Sequence, residues 1–307
     1  MARHGSKIFF VVCALIALAL TLFVSKGASQ IVKTVERGIA SKEQPVDPAI
    51  RAGMLPHKAL YEIRLSGKKS GTQIVNIAGQ MMYEWETGCE GWTTNHKFNL
   101  LYEYADAAPM RVTSDFSTYE PFDGQTLNFN AQRRRGGEIF EEIRGYAALN
   151  DDGAGHVDFR IPDDLTYDLP VGTLFPMQHT LAVLKNIRDG KRFFNAVIFD
   201  GSDQDGPVEI NAFIGEAVNA AEIVKQDDKI DSELLGAQAY NVQLAFFPLA
   251  KKEAYAEYEM ELVFHENGII SDMSVDYQDF AVTQKLVALE AMPAKNTCPN
   301  DQRAQQD

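Results

Sequence analysis

Cysteine is scarce: three in 307 residues, at positions 13, 89 and 298. That excludes a disulfide-dense scaffold and a four-cysteine metal or iron–sulfur site. Histidine is scarce too. The six (4, 57, 96, 156, 179 and 265) show no ligand spacing, so no metal and no cofactor is expected. Basic charge is short, with 29 Lys and Arg against 43 Asp and Glu. The first 28 residues hold three of the basic residues and no acidic ones. The remainder therefore has a net charge of −17. Nucleic acid is excluded as a partner, because phosphate binding needs a basic face. Long apolar runs are missing after residue 24, so no second membrane span is expected. There is no nucleophile elbow, no glycine-rich phosphate loop and no paired-histidine motif.

One apolar run is present, at the start. Arg3 and Lys7 precede an uncharged stretch from Ile8 to Val24, and Ser25, Gly27, Ala28 and Ser29 follow. A basic start, an apolar centre and a small-residue end make a secretory signal over residues 1–28, cleaved after Gly27 or Ser29. As a helix its 17 residues would reach about 26 Å, short of the ~30 Å hydrocarbon core, which leaves an uncleaved anchor as the other reading. Either way the remainder is exported. Cys13 lies inside this run and follows Val12 rather than a small residue, so it reads as an apolar filler and not a lipid-attachment site. Two cysteines remain, Cys89 and Cys298. An even count in an oxidising compartment favours a disulfide; two free thiols are the alternative.

Residues 29–54 are mixed polar, with Pro45, Pro48 and Gly53, and read as a linker or a short helix outside the main body. From Leu55 onward the composition is uniform, and residues 55–298 are expected to form one domain, followed by a disordered tail at 299–307. The pattern in that body is strand after strand. Val75, Ile77, Gly79, Met81, Tyr83 and Trp85 share one face of a long alternating run. Trp92, Thr94, His96, Phe98, Leu100 and Tyr102 do the same in the next. Turn pairs such as Asp123-Gly124, Gly136-Gly137 and Asn267-Gly268 punctuate the chain. Further strands are expected near 58–65, 110–119, 126–133, 138–149, 155–161, 193–200, 207–215, 239–247, 254–264, 269–277 and 280–290. Only Phe175 to Asp189 reads as helix, with Pro176 at its start, Gly190 past its end and Leu181, Leu184 and Ile187 at helical spacing. The fold class is all-β: a large antiparallel open barrel with one packed helix. Sheets of this length must curl, split or close.

Candidate chemistry is thin. "FDGSDQDG" (199–206) resembles a calcium loop but puts Ala212 where the twelfth-position Glu belongs, and reads as a solvated turn. His179 falls on the helix with no Ser or Cys beside it to activate, and reads as a structural hydrogen-bonding group. Asp203 lacks workable partners in the same way. Arg133-Arg134-Arg135 reads as a charged hairpin end. Glu141 and Glu142 are strand neighbours that point to opposite faces and cannot share a proton; Asp163-Asp164 is one of many acidic pairs in an acidic chain. No catalytic residue is assigned, and no enzyme activity is expected.

Six segments in order resemble the EipB-like family of bacterial periplasmic cell-envelope integrity proteins. They are "LPHKALYEIRL" (55–65), "GQMMYEWETGCEGW" (79–92), "FDGQTLNFN" (122–130), "LPVGTLFPMQHT" (169–180), "VIFDGSDQDG" (197–206) and "MSVDYQDFAV" with "LVALE" (273–290). The resemblance covers about Leu55 to Cys298; residues 30–54 depart from it. It implies a β-spiral of about fourteen strands, akin to lipoprotein carriers and sensors. It implies a periplasmic location in a Gram-negative cell and a role in envelope integrity. It implies a disulfide between Cys89 and Cys298, and a possible partner in a periplasmic tetratricopeptide-repeat protein. No enzymatic activity comes with it. The function expected is the binding of an apolar ligand, a lipid or lipoprotein, or an envelope protein. An envelope hydrolase with an unrecognised site and a chaperone-like assembly factor for outer-membrane clients are the competing readings.

Overall fold

The computed structural model describes residues 48–225, 227–250 and 255–293. The expected signal segment, Cys13, Cys298 and the tail lie outside them. Fourteen antiparallel strands form one sheet. Its first half runs outward from β1 (His57–Lys68) through β2 (Ile74–Thr87), β3 (Gly91–Tyr104), β4 (Met110–Pro121), β5 (Thr126–Arg135), β6 (Glu138–Leu149) and β7 (Gly155–Ile161) to β8 (Thr166–Leu169). The second half runs from β14 (Phe280–Ala291), paired to β1, through β13 (Ile270–Tyr277), β12 (Tyr258–His265), β11 (Ala239–Pro248) and β10 (Val208–Val218) to β9 (Phe193–Ile198). Every ladder joins strands adjacent in the chain except β1–β14, where the two halves meet from His57↔Ala291 to Lys68↔Phe280.

The sheet is open, with β8 and β9 at its edges. A single parallel bridge, Leu174↔Ile198, ties the chain leaving β8 to β9. There the Leu174 N–H donates to the Val197 carbonyl at 2.8 Å, and the Phe199 N–H to the Leu174 carbonyl at 3.1 Å. So few bonds at the seam leave the rolled sheet unclosed. β8 has only four residues, TYDL, too few for alternation to reveal it, which is why the sequence pattern yields thirteen strands.

Alternation holds along β3, where Trp92, Phe98, Leu100 and Tyr102 are buried. It fails once in β2. Between Ile74 and Asn76 the register shifts against β3, so Val75 is bulged out and 48% exposed while Ile77, Met81 and Trp85 are buried. The expected helix is present as Pro176–Arg188 and ends where Gly190, at φ +68°, turns the chain. Residues Pro48–Gly53 form a short helix, α1, and the long helix is α2. A further short helix, Ala220–Ile223, and a 3-10 turn, Ser232–Leu235, lie between β10 and β11. The placing of 29–54 outside the body is corrected at its end: Ile50 and Met54 are buried in the main core, because α1 covers the same mouth of the barrel that α2 crosses. Two large apolar clusters fill the interior, and a third, small one joins Ala220, Ala239 and Val263. The largest lies between β1–β4, β10–β14 and α2, and the second between β4–β8, Phe175 and Phe199.

Candidate functional site

The larger half of the barrel encloses a cavity of about 290 Å³. Strand register builds its wall in rows. His57, Trp85, Thr94 and Thr118 stand side by side on β1 to β4. The next row is Ala59, Tyr83, His96 and Phe116; the next, Tyr61, Met81, Phe98 and Ser114. The fourth is Ile63, Gly79, Leu100 and Val112. Gly79 has no substitute there: a Cβ would stand 2.1 Å from the Asn99 carbonyl oxygen and 2.8 Å from Leu100 Cδ2. From the other half, β12–β14 contribute Met260, Met273 and Phe280, and Pro176, Met177 and Thr180 of α2 close one end.

Polar groups in this wall mostly bond to the protein itself. The Thr94 and Thr118 hydroxyls meet at 2.6 Å. The Tyr61 hydroxyl donates to the Ile270 carbonyl at 2.7 Å. His57 Nδ1 lies 2.8 Å from the Leu55 carbonyl oxygen, and its ring is edge-on to Trp85. His96 sits between Tyr83 and Phe116, with ring centres 4.8 and 5.6 Å away. Burial lowers its pKa to about 4, so the ring is neutral. Burial pushes the Tyr61 and Tyr83 phenols above their ordinary range. The walls offer apolar surface and neutral rings, the lining of a binding cavity.

Glu120, on β4, is a strongly perturbed carboxyl near this cavity, and the sequence pattern offered no sign of it. Its carboxyl is buried and accepts the Met177 N–H at 2.8 Å and the Gln178 N–H at 3.0 Å. Phe175, at the helix start, has no capping side chain of its own, so a strand carboxyl does that job. Burial pushes Glu120 up to about 8, against the two N–H donors that pull it down.

His179, singled out from the sequence, faces the interior from α2, tilted against Phe194 at 5.9 Å. Burial lowers its pKa to about 4, and its Nε2 has no hydrogen-bond partner among the described residues. Among the described residues no hydrogen bond joins its ring to a Ser or Cys. Asp203 is elsewhere, in the smaller half. The solvated-turn reading of 199–206 is corrected: the segment is tucked inside the barrel. Phe199 packs edge-on to Phe129 and Phe159, and Gly201, at φ +70°, lies where a Cβ would strike the Phe129 ring. The Arg133 guanidinium, buried, binds the Glu141 carboxylate and the Ser202 carbonyl. The Tyr167 hydroxyl donates to the Gln204 carbonyl. Burial, and the Asp200 charge beside it, hold Asp203 well above the usual carboxylate range. Of the arginine run, Arg133 thus turns inward, while Arg135 lies 4.9 Å over Phe140 at the hairpin end. Glu142 points away from Glu141, toward Arg144 at 3.9 Å. Asp164, at φ 64°, occupies the β7–β8 turn. Among the described residues no three His, Cys, Asp or Glu side chains are grouped to hold a metal. Cys89 lies in the turn between β2 and β3, closed by the Gly88 N–H on the Gly91 carbonyl at 2.8 Å.

Comparison with known proteins returns the same pattern. The EipB-like family model matches residues 48–293. The cell envelope integrity protein EipB of Brucella abortus (strain 2308) is 31% identical over 242 residues, 77% of this chain and 84% of that protein. A crystal structure of a beta-barrel-like protein of domain of unknown function DUF1849, also from Brucella abortus, has a TM-score of 0.72 at 27% identity. It covers 78% of this chain and 99% of its own.

Proposed function

The chain belongs to the EipB-like family, and on that premise we propose that it is an exported, periplasmic protein that supports cell envelope integrity by holding an apolar ligand in its barrel, without catalysing a reaction. The observation that carries this reading is the cavity of about 290 Å³ between β1–β4, β12–β14 and α2. It is near the lower end of small-molecule sites, roughly 300–1,000 Å³. Its rings are neutral and its hydroxyls largely satisfied, so apolar contact is what it has to offer. The envelope role rests on the name of the Brucella relative. The leader-like start of the sequence supports export. A periplasmic tetratricopeptide-repeat protein is the partner proposed with it.

The test is recovery of the mature protein from its own envelope under native conditions, followed by mass spectrometry of the intact complex and of its organic extract. One lipid or lipopeptide per chain is expected, and filling the cavity by Val275→Phe or Val282→Phe, both on its lining, should abolish its recovery. A protein that carries nothing, and whose folded cavity-filled variants restore detergent resistance to a deletion strain, would overturn the reading. A folded His179→Ala protein that fails to restore that resistance would point to chemistry at α2 instead.

A further inference from the structure

The two ends of the barrel differ. Helices cover one of them: Glu120, near the end of β4, holds the start of α2, and Gln178 lies against Gly124 in the β4–β5 turn. The β1–β2, β3–β4 and β5–β6 hairpins stand at the opposite end, side by side in the sheet. Their tips reach open space, since a Cβ at Gly71, Gly136 or Gly137 would meet nothing within 4 Å. The cavity lining extends toward them as far as Ile77 and Tyr102, and to Phe280, which is opposite Lys68 at the end of β1. Leu65, Ile74, Tyr104 and Met110 carry that apolar surface on to the rim, only partly buried.

Charge separates the ends in the same way. The three hairpin ends, residues 67–75, 103–111 and 134–140, hold Lys68, Lys69, Arg111, Arg134 and Arg135 against Glu103, Asp106 and Glu138, a net of +2. The turns at the helix-covered end, 86–92, 119–127 and 148–156, hold Glu86, Glu90, Asp123, Asp151 and Asp152 and no Lys or Arg, a net of −5 without the buried Glu120. Two of the rim cations face carboxylates across exposed surface: Lys69 is 2.8 Å from Asp276, and Arg134 is 3.9 Å from Asp115. Elsewhere the rim is acidic, with Asp163 and Asp164 between β7 and β8 and Asp279 before β14. Only the sector of six strands, about 24 Å wide at the usual strand spacing, suits an anionic surface.

Apolar side chains stand among these charges. Ile139 is 51% exposed, Val75 48% and Phe140 40%, the last with the Arg135 guanidinium 4.9 Å over its ring. Ala105, Ala107, Ala108 and Pro109 make the exposed β3–β4 tip. Apolar groups on projecting tips, mixed with Arg and Lys, match the boundary layer of a bilayer: the apolar groups enter the acyl region while the cations stay at the phosphates. The tips are separate points and not a groove, which suits a deformable lipid surface better than a folded partner.

We propose that the rim formed by the β1–β2, β3–β4 and β5–β6 hairpins docks on a lipid surface bearing anionic headgroups, with the mouth of the barrel that α2 leaves uncovered turned toward the bilayer. An apolar molecule could then pass between the acyl layer and the cavity without crossing water. The docking goes beyond the apolar-ligand reading and is tested apart from it, because vesicle binding is read whether or not the cavity is loaded.

The test mixes the full mature chain with vesicles of phosphatidylcholine alone, or of phosphatidylcholine with about one-third phosphatidylglycerol, and reads the bound fraction by flotation. Binding to the anionic vesicles should be about tenfold tighter than to the neutral ones, and about tenfold weaker in about 0.5 M sodium chloride than at low salt. Ile139→Ser with Phe140→Ser, and separately Arg134→Gln with Arg135→Gln, should each weaken binding to the anionic vesicles about tenfold. Phe193→Ser with Phe213→Ser, a cross-strand pair of exposed apolar residues beside the end of α2, should leave it unchanged. Unchanged urea midpoints identify folded variants; the lipid and salt comparison on the unaltered chain carries the test if one does not fold. No preference for the anionic vesicles, a preference that both rim variants retain, or an equal loss in the Phe193 and Phe213 variant would overturn the proposal. A chain that ignores both vesicles, while its folded rim variants fail to restore detergent resistance to a deletion strain, would overturn it in favour of a protein partner at this rim.

Discussion

At the scale of single residues, Glu120 couples the sheet to the helix that crosses its mouth. Its two oxygens meet two of the four N–H groups that a helix start leaves unsatisfied. Glu120→Ala should therefore cost about 1–3 kcal/mol and loosen α2 before the strands, which hydrogen exchange at Met177 and Gln178 would read. Its titration makes a second, signed expectation. The carboxyl titrates near 8 in the fold and near 4.3 in an unfolded chain. Between those values the native state holds a proton that the unfolded state has released, so stability falls as pH rises through that window, by up to ~1.4 kcal/mol per pH unit. His96 and His179 act on the acid side. Their folded values near 4 lie below the ordinary 6.5, so stability rises with pH between 4 and 6.5. Urea midpoints should accordingly peak near neutrality, and Glu120→Gln should flatten the decline from pH 6.5 to 8. An unchanged decline in that variant would assign the proton to another group. Asp203 is the first to test, since it too is held above its ordinary range.

At the scale of elements, the buried segment 199–206 acts as an inner strut for the half of the barrel built from β5 to β8. Three strands hold it: Arg133 on β5, Glu141 on β6 and Tyr167 on β8. A lone arginine salt bridge on a surface contributes little, but this one is enclosed, so removing the cation leaves a carboxylate and a carbonyl without it. Arg133→Met should destabilise by roughly 3–5 kcal/mol. The double variant with Glu141→Gln should recover part of that loss, a coupling that a double-mutant cycle in urea would measure. Additive losses would mean that the two side chains do not act together. The edge strands explain why such a strut is needed: β8 is four residues long, and one bridge at Leu174 and Ile198 is what joins the two edges.

At the scale of the whole molecule, the first and last strands of the body meet at the centre of the sheet, where β1 pairs with β14. We infer that Cys89 and Cys298 form a disulfide. Cys298 lies outside the described residues, but the end of β14, the strand before it, is placed. Ala291 is opposite His57, and His57 is opposite Trp85, so β14 ends two strands from a residue four positions before Cys89. That gap is about 16 Å from strand spacing and rise, and the seven residues from Ala291 to Cys298 reach ~23 Å when extended. The bond would close a loop of 209 residues. In the chain-entropy model it contributes roughly 5 kcal/mol, with strain and unfolded-state structure able to reduce it. Cys298→Ser should lower the melting temperature by several degrees and open the β13–β14 hairpin to protease. Thiol labelling of the non-reduced mature protein should find neither cysteine free; two free thiols would refute the bond.

Alternation by itself determined the β class, thirteen of the strands and the inward rows of β2 and β3, because a strand's period of two is a local property that burial of one face enforces. Pro176 and Gly190 determined the ends of α2 in the same local way. Tertiary structure decided the rest. The bulge that throws Val75 outward depends on register against β3, and the four residues of β8 are a strand only because β7 pairs with them. The acidic, glycine-bearing segment 199–206 has the composition of a solvated turn, and only the aromatic cup of Phe129 and Phe159 draws it inside. Glu120 is 57 residues from the helix it caps, and the cavity draws its wall from strands at both ends of the chain. Such sites rest on which strands meet when the sheet rolls up, a long-range matter of pairing that no local spacing of residues encodes.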